Sequence, residues 1–346
     1  MRIVLRYFFT SLFTLLSTSF ASAQGIRPVR DTVGYCWNPS KMNLFVRSLA
    51  TSKKTADSTA GFVAAIAPHD DYLYAGRVYY PLFKNIHAKE VVIFGVTHRT
   101  VRSEIGDPQG ILLLDSYDAW NGCGRTMNIS PLREFIKEKL NPSDFRVDNR
   151  AHRLEHSIEA MIPWLQYFDP DVRITPIMVT AMPFERMEDV SERLAGIMTA
   201  YIDEHHLRPG RDIFFLCSCD ANHYGKDFDN IPFGEDSVAH ATGVKQDRTI
   251  ADATLAGNVG SKKIKELTDD MKNVVWCGRY SVPFGLLTAE KTVEKAFGRK
   301  LAGTILRCSD SYTESFDSLQ QPGLGVTAPV SLKHWVSYVS VGYELR

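Results

Sequence analysis

The chain has 346 residues, with 40 basic and 40 acidic side chains and a formal net charge of zero. It is 44% hydrophobic and 23% charged, which excludes a disordered, collagen-like or disulfide-dense architecture. Neutrality also argues against a protein whose main task is coating nucleic acid, because phosphate binding rests on clustered positive charge.

The first element is a targeting segment. Arg2 and Arg6 precede an uncharged run from Tyr7 to Phe20, and Ala21-Ser22-Ala23 supplies an A-x-A site. This pattern reads as a secretory signal peptide over residues 1–23. The run is shorter than the ~20 residues of a spanning helix. No cysteine follows the cleavage site. The mature chain is therefore expected to be exported, periplasmic or extracellular, without a transmembrane or lipid anchor. Export permits disulfides, but Cys36, Cys123, Cys217, Cys219, Cys277 and Cys308 show neither C-x-x-C nor zinc-finger spacing. Their pairing is left open.

Residues 24–60 are polar and read as an irregular segment, and residues 61–346 as one domain. Short apolar strands are predicted over 61–68, 90–96, 111–114, 173–179 and 212–217. Helices are predicted over 77–86, 130–140, 157–168, 187–204, 247–258, 261–272 and 282–297, where apolar residues recur every three to four positions. Alternation of the two types predicts an α/β fold: a central mixed sheet flanked by helices, in a single domain. In such sheets the functional residues collect on loops beyond the strand ends.

Those ends are rich in chemistry. The first strand runs into His69-Asp70-Asp71-Tyr72, the second into Thr97-His98-Arg99, and the last into Ser218-Cys219-Asp220-Ala221-Asn222-His223. Val274-Val275-Trp276 reads as a further apolar segment, ending in Cys277-Gly278-Arg279. If these ends share one edge, two imidazoles and a thiolate converge. That donor set suits copper(I) or zinc, with iron(II) also compatible, and leaves a coordination position open. His223 is placed to move protons and Asp220 to fix a tautomer or bind substrate. The alternative for each histidine is a hydrogen-bonded strand-end residue, and for Cys277 a small buried hydrophobe or half of a disulfide.

At these residues the chain resembles the Memo-like family, also called AmmeMemoRadiSam system protein B. The matching segments are A-P-H-D-D-Y at 67–72, G-V-T-H at 95–98, E-H-S-I-E at 155–159, S-C-D-A-N-H-Y-G at 218–225 and C-G-R at 277–279. The resemblance implies a fold like that of class III extradiol dioxygenases of the LigB type. It places His69, His98 and Cys277 at the metal positions and His223 at the acid–base position. A cysteine stands where those dioxygenases carry a carboxylate ligand, which favours copper, or redox chemistry at copper or iron, over dioxygenase chemistry. The chain departs from the family pattern in Asp70-Asp71, where a small motif is usual, and in its signal segment. Glu155, His156, Arg279, Asp70 and Tyr72 are the candidate substrate-binding residues, with Trp120 and Tyr224 as further candidate pocket aromatics.

Three functions compete. The first is an exported metalloprotein, a metal-dependent oxidoreductase acting on a small molecule. The second is a copper-binding or redox-buffering protein without turnover. The third is a non-catalytic module that binds a peptide on the same fold.

Overall fold

A computed structural model describes residues 25–51, 61–315 and 324–346. The expected signal peptide lies outside the described residues. Among them, no helix is long and apolar enough to cross a membrane.

The fold is α/β, a single domain with a large mixed sheet between helical layers. Its centre is built from β1 (Ala64–Ala67), β2 (Glu90–Val96), β3 (Arg173–Val179), β4 (Ile213–Ser218), β5 (Leu301–Asp310) and β6 (His334–Leu345). Their spatial order is β3-β2-β4-β1-β6-β5. The first four are mutually parallel, whereas β6 runs antiparallel to both β1 and β5.

The apolar runs follow from burial on both faces. Successive side chains point to opposite sides. Ile66, Val92, Phe94, Ile177, Phe215 and Cys217 therefore enter one core, while Ala65, Val91, Ile93, Met178, Phe214 and Leu216 enter the other. The first core is closed by helices Phe184–His205 and Ser281–Phe297. The second is closed by helices Pro39–Ala50, Tyr72–Phe83 and Ile162–Phe168.

Several expectations are corrected. Residues 24–60 are not wholly irregular, because Pro39–Ala50 is a helix capped by the Asn38 side chain and buries Met42, Phe45, Val46 and Leu49. The helix expected from Arg77 begins at Tyr72 and accommodates Pro81. The one expected from Asp247 begins at Ser237, capped by Asp236. Val274-Val275-Trp276 is no strand: it makes one bridge, Asn222 to Trp276, and then turns into the helix at Ser281. Strands β5 and β6 were not anticipated.

This topology positions the site. Parallel β1, β2 and β4 end on the same edge of the sheet, and antiparallel β6 begins there. The loops bearing His69, His98 and Ser218–His223 consequently meet, joined by Cys277 from the turn before helix Ser281–Phe297.

Candidate metal centre

His69 follows β1 through Pro68 and is buried. Its backbone N–H donates to Asp220 Oδ1 at 2.8 Å. Its Nδ1 lies 2.7 Å from Ser218 Oγ, and that hydroxyl donates to the Ser157 carbonyl at 2.8 Å. With its own proton committed, Ser218 accepts from His69 Nδ1–H. His69 Nε2 is left as the lone-pair nitrogen, 3.5 Å from Cys277 Sγ and 3.4 Å from Asp220 Oδ2. Burial, then the neighbouring His98 and His156, lowers the His69 pKa well below the usual imidazole value. The ring is neutral, as a ligand requires.

His98 is held in the same way by a carboxylate. Glu155 Oε1 lies 2.9 Å from His98 Nδ1, and Oε2 accepts the His98 backbone N–H at 3.0 Å. The backbone N–H groups of His156 and Ser157 also donate to Oε1. Burial alone would raise the Glu155 pKa, but His98 and these donors outweigh it and hold it well below the carboxylate range. Burial would likewise lower His98, yet Glu155 and the Cys277 thiol push it up to about 10, so a metal ion bound there would displace a proton from this ring. Carboxylate-to-imidazole bonding of this kind orients histidines that ligate metals. Gly95 makes it sterically feasible: a Cβ there would stand 2.4 Å from Ile158 Cγ1 and 3.1 Å from Ser157 Oγ. Only glycine lets the loop that carries Glu155 press against the end of β2.

Cys277 Sγ accepts the Asp220 N–H at 3.1 Å and is half-buried. Burial raises its thiol pKa well above the ordinary value, opposed by His98. His69, Asp220 and Cys277 each bring one ligand atom within 4.8 Å of the others, and so do His69, His98 and His156. The His98 and His156 rings stack at 4.7 Å. The two groups share His69 and divide His98 from Cys277; the donor chemistry, two imidazoles locked at Nδ1 and a thiol beside His69, fits a soft or borderline metal ion.

The rest of the cavity measures about 170 Å3, close to the ~150 Å3 void that accommodates a benzene ring. Asp70, Asp71, Asp220, His156 and His223 line it. His223 has Nδ1 within 3.0 Å of the Ala221 carbonyl, so Nδ1 carries the proton. Burial holds its pKa down near 4. Asp70 accepts the Tyr338 hydroxyl, and Asp71 accepts the Thr327 N–H and hydroxyl. Burial, then the adjacent Asp70, pushes Asp71 up to about 7.

Other expected residues lie elsewhere. Tyr72 is fully buried, donates to the Ala160 carbonyl and packs on Phe45, Tyr79 and Trp164, because it opens a helix whose first turn faces the core. Arg279 is exposed over the Tyr280 ring, at 5.6 Å, and touches neither Asp220 nor the cavity. Glu155 stands behind His98 rather than on the cavity wall. Trp120 lies beneath Arg27, and Tyr224 stacks on Trp335. Sequence reasoning missed Ser218 and Ser157, although both sit inside quoted motifs. It also missed Asp31, Tyr35, Tyr74, Phe228, Thr327 and His334 on the wall, for which no local pattern gave a signal. All six cysteines are free thiols.

Comparison with known proteins now bears on this site. The family model described as Memo-like protein matches residues 33–311. The chain belongs to the Memo-like family. It is 31% identical over 164 residues to a MEMO1 family protein of Methanosarcina barkeri, covering 47% of this chain and 55% of that one. It is 27% identical over 239 residues to a MEMO1 family protein of Saccharolobus islandicus, covering 67% and 72%. A MEMO1 family protein of Pyrococcus abyssi is 31% identical over 198 residues, covering 55% and 61%. The alignment thus reaches only about half of the first relative's length. Every residue of the locked donor cluster in this Memo-like chain falls inside the matched span.

Proposed function

We propose that this Memo-like protein holds one transition-metal ion, copper or iron with zinc as the alternative, on His69, His98 and Cys277. In this reading it is an exported oxidoreductase acting on a small molecule of about one aromatic ring. The observation that carries it is the double lock. Ser218 and Glu155 each take up one histidine's Nδ1, which leaves both Nε2 atoms for a ligand, that of His69 3.5 Å from the Cys277 thiol. A structural histidine pair has no need of that arrangement. The ion would supply a Lewis-acidic, redox-active centre when bound. His223, neutral and with Nε2 unprotonated, accepts and returns a proton at the cavity wall. Asp220 fixes the His69 backbone through its N–H.

Metal content tests the reading. The mature protein, purified without oxygen and without a metal-binding tag, is measured by inductively coupled plasma mass spectrometry beside Cys277→Ala. About one copper or iron per chain, lost in the variant, supports the centre. Substrate-dependent oxygen uptake then separates turnover from metal buffering. No uptake of copper(I), iron(II) or zinc by the wild type would leave a peptide-binding module.

A further inference from the structure

The thiol of Cys277 has a neighbour that the metal centre does not use. Cys219 Sγ donates to the Asp220 carbonyl at 3.0 Å, and Cys277 Sγ approaches the same oxygen at 3.4 Å. Both sulfurs thus converge on one carbonyl oxygen. Gly278 permits this approach: a Cβ there would lie 2.4 Å from Cys219 Sγ. The two segments are fixed together by Asp220 N–H to Cys277 Sγ and by Ser281 Oγ to the Ser218 carbonyl at 3.1 Å. Bridging the sulfurs therefore requires little backbone movement. Cys217, two residues away, packs instead against Phe94 and Gly285 in the core.

We propose that Cys219 and Cys277 form a reversible disulfide by exchange with a small-molecule disulfide, and that closing it removes Cys277 from the metal's donor set. The second half rests on the ligand role given to Cys277 above. Half-buried Cys277 is the entry side and fully buried Cys219 the resolving side. The Cys277 sulfur attacks one sulfur of the external disulfide, whose S–S bond breaks. A mixed disulfide forms and one small thiol leaves. The Cys219 sulfur then attacks the Cys277 sulfur, the protein S–S bond forms, and the second small thiol leaves. Two protein thiols are oxidised, one disulfide is reduced to two thiols, and the two protein protons depart on them.

The test uses metal-free, fully reduced full-length protein incubated with oxidised glutathione, then blocked in acid and digested with trypsin. The expected product is a cross-link between peptides 212–226 and 273–279, two hydrogens lighter than its parts, with fragmentation placing the bond at Cys219. Copper(I) uptake should fall roughly tenfold or more in the oxidised sample, since even an outer partner of a ligand is worth that much, and recover with dithiothreitol. Cys219→Ala, with Cys219→Ser as the second variant, should give no cross-link and should instead trap the mixed disulfide of Cys277 with glutathione. Absence of the cross-link, or its placement on Cys217, overturns the proposal, as does a cross-link to Cys277 that persists in both variants. A closed cross-link with unchanged copper uptake overturns the second half. Absent uptake by the reduced wild type sinks the metal reading itself and leaves the cross-link result standing.

Discussion

The floor and the rim of the cavity are built differently. The floor, His69 and His98 with Cys277, Ser218 and Glu155 packed behind them, gathers around the ends of parallel β1, β2 and β4, all within the span that matches the family. Much of the rim comes from outside it: Asp31 before the span, and Thr327, Ala328, Val330, His334 and Val336 after it. The floor is rigid because each side chain is held by buried polar partners. The rim is a strap across the mouth, tied by Thr327 to Asp71 and by the Tyr74 hydroxyl to the Ala328 carbonyl. On the proposed reading, this division assigns the metal to the part that matches the family and the ligand contacts largely to segments beyond it.

The largest effect expected is at the floor itself. Cys277→Ala should abolish measurable metal binding while the thermal midpoint of the metal-free protein moves little, because a half-buried thiol loses few contacts. A variant that keeps its metal would break the comparison, leaving the His69, His98 and His156 group as the donors. Next comes Glu155→Gln. The amide retains the shape but replaces a carboxylate that accepts from four N–H groups. Metal affinity should fall about 10–100-fold, read by competition with a chromogenic chelator. An unchanged affinity would reduce Glu155 to a loop staple.

The same division explains what was legible in the sequence. β2 and β3 run as expected, because strands buried on both faces are unbroken apolar runs bounded by polar residues. The floor could be read because a polar motif directly after such a run marks a strand end. The rim could not, since Thr327 and His334 reach the cavity only through the antiparallel pairing of β6 with β1, a long-range fact without a local pattern. β6 itself was hidden by Ser337 and Ser340, which interrupt its apolar run yet are buried. Ser337 is there to serve Asp247. Tyr72 misled for the opposite reason. It lies three residues from a ligand, but the helix begins at once and turns it into the aromatic core.

Behind the floor, Asp247 sharpens the comparison through pH. It accepts Trp276 Nε1–H at 2.8 Å and the Ser337 hydroxyl at 2.6 Å, bracing the turn that carries Cys277. Burial pushes its pKa up to about 7, against about 3.9 in an unfolded chain. Between those values the folded state keeps a proton that the unfolded chain has released, so its contribution is lost as pH rises from about 4 to about 7. Asp247→Asn, neutral throughout, should flatten that slope and gain up to about 4 kcal/mol over wild type at pH 8. Urea melts at pH 5 and pH 8 read it. Metal content should be unaffected. Equal wild-type and variant stability at both pH values would show that the carboxylate is solvated rather than buried.

The smallest effect belongs to the rim. Thr327→Val removes the hydroxyl that donates to Asp71 while leaving the backbone N–H to Asp71 in place. Asp71 retains one donor, so the expected loss is about 1 kcal/mol, the net worth of one hydrogen bond. It should appear as faster amide exchange over residues 324–330 rather than as a shift of the main melting transition. Metal content should match wild type, because the Thr327 hydroxyl bonds to Asp71 rather than to His69, His98 or Cys277. A Thr327→Val protein that loses metal would show that the strap holds the donors in place, and the assignment of chemistry to the floor and selectivity to the rim would fall with it.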